Sequence, residues 1–350
     1  MEGISSSVVT ASGGNKAKPK VVVVMGATAT GKSKLAIDLA LLLGGEVINS
    51  DKIQVHDGLD VVTNKVTAAE RRGVPHHLIG GVSPDADYTA ADFCRDAARA
   101  VESVLARGRV PIIAGGSNRY IAALLDGDGE PAAALRRRYE CCLLWVDAEL
   151  PVLDRYIRDR VDAMLEQGLV DEVRPFFRPD RDYSSGVRRA IGVPEMHEFF
   201  RREAAGDLDG GDGELHARLL AAAADEIKAN TCRLARRQRG KIQRLRSLRG
   251  WSIHCLDVTG VLAFKVGDTR NPKAEGAAWE EDVMGPAARI VGAFLANSTI
   301  VDKQRRFVLQ PVKDVVVPAA GGCTAAEWWG RLQVDTAVVS PGRGLDAAVH

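Results

Sequence analysis

The chain has 350 residues, 46% of them hydrophobic and 27% charged, with a formal net charge of +1, a composition that suits one or two globular domains. This near-neutral balance excludes bulk attraction to nucleic acid or to a membrane surface, so any polyanion site must come from local clustering. No apolar run approaches the roughly 20 residues of a membrane span, and Cys94, Cys141, Cys142, Cys232, Cys255 and Cys323 show no C-x-x-C or zinc spacing, which suits reduced intracellular thiols rather than disulfides or a structural metal.

Residues 1–19 are rich in Ser, Gly and Ala and read as a disordered lead without the apolar core of a secretory signal. Glu2 and the lack of Arg argue against an organelle-targeting peptide, so the expected location is cytoplasmic, with the plastid as the alternative. Val21 to Met25 then form a buried strand, Gly26-Ala27-Thr28-Ala29-Thr30-Gly31-Lys32-Ser33 a tight loop, and Leu35 to Ala40 the start of a helix. This is a P-loop in its proper context. Its glycines let backbone N–H groups close around a diphosphate, the helix N-terminus adds its positive end, Lys32 supplies a point charge, and Ser33 is placed to ligate Mg²⁺.

Glu46 to Asp51 reads as a second strand, and in a doubly wound sheet Asp51 would face the same crevice as Lys32 and Ser33. Its carboxylate could take a proton or hold a metal through water, or it could cap the next helix. His76 and His77 lie on an extended segment and point to opposite faces, which argues against a shared metal. Val110 to Ala114 is another buried strand; it ends in Gly115-Gly116-Ser117-Asn118, where glycines allow close backbone approach to a ligand. Cys141 to Asp147 is a third, and Asp147 could be a metal-side carboxylate or a helix N-terminal residue.

From Pro151 to Phe177 the apolar spacing turns helical. Arg188-Arg189 precede a glycine turn, and Leu215 to Arg249 reads as one or two long helices carrying Arg233, Arg236, Arg237, Arg239, Lys241, Arg244, Arg246 and Arg249 with no acidic residue among them. Helical spacing puts Arg233, Arg237, Lys241 and Arg244 on one face, where they could line a triphosphate pocket or simply form a solvated basic surface. A strand over 251–257 and a helix over 286–294 close the core.

The ordered segments are the P-loop, Asn49-Ser50-Asp51-Lys52-Ile53-Gln54-Val55, Gly58 to Lys65, Val74-Pro75-His76-His77-Leu78, Tyr88 to Phe93, Ile112 to Asn118, Leu144 to Asp147, Gly168 to Val173, Arg188 to Glu195 and Asn230 to Leu245. Together they resemble the isopentenyltransferases, specifically the plant adenylate branch, which is similar in turn to the tRNA dimethylallyltransferases. The resemblance covers about residues 20–296. His56 stands where the family usually has Tyr, and Arg119 where plant members usually have Ser.

The resemblance implies an α/β fold, a P-loop NTPase-like parallel sheet flanked by helices, with a helical substrate lobe. The catalytic domain would span 20–296, its P-loop core about 20–147 and 230–296 and its lobe about 148–229, followed by a mobile tail over 297–350. It also implies transfer of a dimethylallyl group from its diphosphate to N6 of ATP, ADP or, less well, AMP. Gly26 to Ser33 with Arg188 and Arg189 would hold the donor's diphosphate, Thr28 would reach its bridging oxygen, and Mg²⁺ would sit on Ser33. Asp51 would accept the N6 proton, and Ser117, Asn118, Arg237 and Lys241 would hold the nucleotide. The expected partners are small molecules, with no membrane, and the protein is expected to be a monomer. The rival readings are tRNA dimethylallyl transfer, which the basic helix favours and the near-zero charge opposes, and a P-loop kinase.

Overall fold

The computed structural model describes residues 18–127, 133–207, 213–266 and 270–296. The expected lead before residue 18 and the expected tail after residue 296 lie outside these residues. So do parts of the two Gly/Asp-rich loops, at 128–132 and 208–212.

Along the chain, β1 (Lys20–Gly26), α1 (Lys32–Leu43), β2 (Glu46–Asn49), α2 (Ala68–Arg71), β3 (His76–His77), α3 (Ala90–Ala106), β4 (Pro111–Gly115), α4 (Asn118–Asp126), α5 (Leu135–Arg138) and β5 (Glu140–Asp147) build most of an α/β sandwich. The helices α6 (Leu150–Glu166), α7 (Leu169–Val173), α8 (His197–Ala204) and α9 (Gly213–Arg246) follow. They give way to β6 (Ile253–Asp257), α10 (Thr259–Ala263), α11 (Pro272–Ala278), a π-helical turn at Trp279–Met284 and α12 (Gly285–Ala296).

The described strands form a six-stranded sheet in the order β3-β2-β4-β1-β5-β6, with every pairing parallel. Parallel strands in the middle of a sheet must be covered on both faces, which is why β1 and β4 are buried and apolar along nearly their whole length, while the edge strands β3 and β6 carry polar residues. Val21 to Met25 of β1 are each fully buried, contributing about 1.5–3 kcal/mol apiece as an upper estimate. Val22 and Val24 pack with α1, α6 and α12 on one face, and Val21, Val23 and Met25 pack with α3 and α4 on the other. A third apolar cluster joins Leu59 and Val62 to Val161, Met164, Val173, Phe199, Phe200 and Ile227.

Helix α9, about 50 Å long at 1.5 Å per residue, runs through all three clusters. Ile227 lies in the third, Cys232 and Ala235 under one face of the sheet, and Ile242 under the other. The sequence left one or two helices open over 215–249, and the structure forms one. Strand β2 stops at Asn49, short of the expected Asp51, because Asn49 Nδ2 turns to the Leu78 carbonyl at 2.9 Å and the chain leaves the sheet. Strand β6 begins at Ile253 rather than 251, since Trp251 Nε1 is tied to Asp126 at 3.1 Å.

Candidate active site

The carboxyl ends of β1, β2, β4 and β5 open on one crevice, the place where open parallel sheets gather ligands. In the loop after β1, Ala29 adopts φ 71° and Gly31 φ 85°, an alternation that curls successive N–H groups inward into an anion nest. The Ala27 carbonyl anchors the loop, accepting from Thr30 Oγ1 at 2.9 Å and from Lys32 Nζ at 2.7 Å. The backbone N–H groups of Ala29, Gly31, Lys32 and Ser33 have no partner among the described residues. Gly26 must be a glycine, because a Cβ there would stand 2.6 Å from the Val146 carbonyl oxygen and 2.7 Å from Thr30 Oγ1.

Burial drops the Lys32 ammonium to a pKa of about 8, with Asp51 opposing the fall and Arg160 adding to it. A cation held this way, beside free N–H donors, is poised for an anion. Ser33 is exposed at the head of α1, and its hydroxyl is unbonded among the described residues.

Asp51 caps the turn that follows β2, its Oδ1 accepting from Ile53 N at 2.9 Å while its second carboxylate oxygen has no partner among the described residues. The turn is locked to β4. Ser50 N donates to the Ala114 carbonyl at 2.8 Å, Ser117 N donates to the Ser50 carbonyl at 3.2 Å, and Lys52 N donates to Ser117 Oγ at 2.9 Å. A Cβ on Gly115 would come within 2.1 Å of the Ser50 oxygen, so only glycine permits this approach.

Asn118 is buried, and its Nδ2 donates to the Gln238 carbonyl at 3.1 Å. It therefore faces α9 rather than the open crevice.

Arg188 is also buried. It pairs with Asp85 and lies with its guanidinium 5.9 Å from the centre of the Phe176 ring. Arg189 pairs with Asp87 at 3.2 Å and its charge reaches Lys52. Partial desolvation and the charges of Arg189, Lys241 and Arg237 hold the Lys52 ammonium below its usual range, against the pull of Asp51. The charges of Arg189, Arg237 and Lys241 thus converge on Lys52, the neighbour of Asp51, and Lys52, Arg237 and Lys241 have no ion pair among the described residues.

The basic run on α9 is divided. Arg236 pairs with Asp154, and Arg239 Nε donates to both oxygens of Asp147 at 2.9 and 3.0 Å. Asp147 is therefore an ion-pair partner rather than a metal-side carboxylate or a helix cap; α6 begins at Leu150, and Glu149 before it makes no side-chain cap.

Sequence reasoning missed Arg160. It projects from α6, largely buried, and Nη2 donates to Thr28 Oγ1 at 2.9 Å while Nε has no partner among the described residues. It also missed Lys52 and Gln238. Gln238 Oε1 accepts from Thr28 N at 2.8 Å, and its Nε2 donates to the Gly116 carbonyl at 3.0 Å. Among the described residues, no cluster of three or more His, Cys, Asp or Glu side chains could hold a metal. His77 Nε2 meets Glu46 at 2.7 Å and His76 Nδ1 meets the Val74 carbonyl at 2.8 Å, at the opposite end of the sheet.

Comparison with known proteins places this geometry. A family model described as IPP transferase matches residues 54–138 and 128–244. The chain is 50% identical over 281 residues to adenylate isopentenyltransferase 3, chloroplastic, of Arabidopsis thaliana, covering 80% of each. It is 49% identical over 310 residues to adenylate isopentenyltransferase 5, chloroplastic, of the same plant, covering 88% of this chain and 90% of that one. Among solved structures, the full-length tRNA isopentenylpyrophosphate transferase of Bacillus halodurans superposes with a TM-score of 0.57 at 27% identity, over 80% of this chain and 99% of the other.

Proposed function

We propose that this chain, which belongs to the IPP transferase family, transfers a dimethylallyl group from dimethylallyl diphosphate to N6 of an adenine nucleotide, the step that begins cytokinin synthesis. The bond between the allylic carbon and the bridging oxygen breaks, the N6–carbon bond forms, pyrophosphate leaves, and the N6 proton passes to Asp51. The observation that carries this reading is the carboxylate of Asp51, with one oxygen unpartnered among the described residues, set across the crevice from a loop with four N–H groups uncommitted among those residues and a half-buried lysine. A kinase would need the loop for a nucleotide. Here the cations that suit a nucleotide's phosphates, Lys52, Arg237 and Lys241, stand on the Asp51 side instead.

The donor's diphosphate would take the N–H groups of the loop and Lys32. Arg160, already on Thr28, would share the bridging oxygen with the Thr28 hydroxyl. Arg189 would approach from the acceptor side, and Arg188 would hold the turn beneath it through Asp85. An adenine N6 amine is a poor nucleophile, so alignment in a closed crevice is most of the catalytic work.

Mg²⁺ fits the chemistry of the site. Ser33 offers an uncommitted hydroxyl beside the nest, a hard oxygen donor that would complete a shell otherwise made of phosphate oxygens and water. When bound, the ion neutralises charge on the leaving pyrophosphate.

The third apolar cluster, reaching from Leu59 to Ile227, would be the acceptor-side lobe. We read the protein as a monomer working on small molecules. We favour the plastid over the cytoplasm, on the strength of two relatives named chloroplastic; no described helix is long and apolar enough to cross a membrane.

One assay tests the whole. Labelled dimethylallyl diphosphate is offered with AMP, ADP, ATP and tRNA in turn. Transfer to ADP and ATP above AMP supports the reading, and preferential transfer to tRNA replaces it.

A further inference from the structure

The buried row of α9 runs Thr231, Ala235, Gln238, Ile242, stepping by four, three and four along the face that meets the sheet ends. Gln238 breaks the small and apolar character of that row, and both ends of its amide are engaged. The oxygen accepts from the backbone N–H of Thr28, in the donor loop, and the nitrogen donates to the carbonyl of Gly116, in the turn after β4. A Cβ on Gly116 would stand 2.4 Å from Gln238 Nε2, so the turn admits the amide only because residue 116 is glycine. From Gly116 the bonding continues through Ser117 to the backbone of Ser50 and Lys52 on either side of Asp51.

We propose that Gln238 is a positioning residue that sets the separation of the two half-sites, fixing the donor loop at Thr28 against the turn that carries Asp51 and the acceptor. The inference rests on the donor and acceptor assignments above. Gln238 touches neither substrate in this scheme. It acts on alignment, and alignment is steep: reacting atoms must meet within about 3–3.5 Å, and a displacement of about 1 Å can cost on the order of 100-fold in rate. A rigid planar amide bridging two loops resists such a displacement better than two separate contacts to water.

A residue that merely filled the core would lower the amount of folded enzyme when replaced and leave the chemistry of each folded molecule alone. A residue that aligns the two half-sites would change the fate of the donor. With the acceptor amine off line, water takes the allylic carbon instead, and dimethylallyl alcohol and pyrophosphate form in place of the prenylated nucleotide. The ratio of alcohol to nucleotide product does not depend on the fraction folded.

The test uses full-length Gln238→Leu, Gly116→Ala and the double variant with dimethylallyl diphosphate and ATP. We expect kcat to fall about 100-fold in each single variant, the alcohol-to-product ratio to rise at least tenfold, and the donor Kd without acceptor to stay within about threefold of wild type. The double variant should match the singles, because both changes break one bridge. Gly116→Ala leaves Gln238 itself intact and so guards against a folding defect in the first variant. A wild-type ratio and kcat in either single variant, or a donor Kd that rises as kcat falls, overturns the proposal. Failure of the wild-type enzyme to transfer to any adenine nucleotide would instead overturn the function on which it rests.

Discussion

Arg160 and Thr28 lie 132 positions apart in sequence and share a hydrogen bond of 2.9 Å, from Nη2 to Oγ1. The arginine is largely buried, with its charge opposed mainly by desolvation. On the proposed function, it would be pre-oriented for negative charge that develops where the diphosphate leaves. Arg160→Ala should lower kcat by about 100- to 1,000-fold. Thr28→Ala should lower it too, and the double variant by less than the product of the two. Steady-state rates of the three variants check this, and strict multiplicativity would show that the two act separately.

Asp51→Asn keeps the bond from Ile53 N, which needs only an oxygen, and removes the proposed base. Turnover should fall by about 100- to 10,000-fold, while calorimetric titration of the donor alone stays near wild type. Wild-type turnover in this variant would remove Asp51 from the mechanism.

Lys32 makes the opposite trade. Its pKa falls from 10.5 to about 8, chiefly through burial, so between those pH values the unfolded chain holds the proton more tightly than the folded one. Stability of the ligand-free protein therefore carries a penalty that is fully present below about pH 8 and fades as pH rises toward 10.5. Lys32→Met should raise the melting temperature at pH 7 by about 2–5 °C, with a smaller gain at pH 9.5, and should weaken donor binding at least tenfold. Melting curves at the two pH values, together with donor titration, read both effects.

Arg237 and Lys241 are exposed on α9, and their charges reach Lys52. Each should contribute a charge-assisted bond of about 1.5–3 kcal/mol to the outer phosphates. Replacing both with Ala should raise the KM for ATP by an order of magnitude or more and change that for AMP little, flattening the preference. An unchanged ATP-to-AMP ratio would move the phosphate site elsewhere. Competition by tRNA should stay weak at physiological salt, since so few cations neutralise few phosphates.

Asp147 and Arg239 form an ion pair, and its role is expected to be structural. Arg239→Leu leaves a carboxylate that is only 8% exposed without its partner, which should cost about 3–5 kcal/mol. Asp147→Asn should destabilise less and leave both turnover per folded molecule and Mg²⁺ dependence near wild type. A steep loss of metal affinity in that variant would restore Asp147 to the metal site.

The central strand, the glycine loop and Asp51 were legible because each is contiguous. A run of β-branched residues, a fixed glycine spacing and a carboxylate just past a strand end carry their meaning locally. Arg160 and Gln238 were not, for the same physical reason in both cases. Arg160 follows Leu153 and Ile157 at helical spacing, and Gln238 follows Thr231 and Ala235, so each occupies an inward row where an apolar residue is the rule. That exception is a signal, but it names no partner, and Thr28 lies more than a hundred residues away from both. The basic run on α9 was legible as charge and not as function. Which arginines are spent on Asp147 and Asp154 depends on how β5 and α6 lie beneath them.

The loop near the start of the chain is braced by residues near the end of the described chain. The ring of Trp279 lies 3.2 Å from where a Cβ on Gly31 would be, its Nε1 donates to Asp38 on α1 at 2.9 Å, and Lys20 reaches the Phe294 carbonyl. During synthesis, β1 and α1 therefore leave the ribosome roughly 250 residues ahead of their support. At about 5–20 residues per second, the donor loop waits tens of seconds before it is pressed into shape. On the proposed function, the capacity to hold a reactive allylic diphosphate would then arrive with the last described helix rather than with the first.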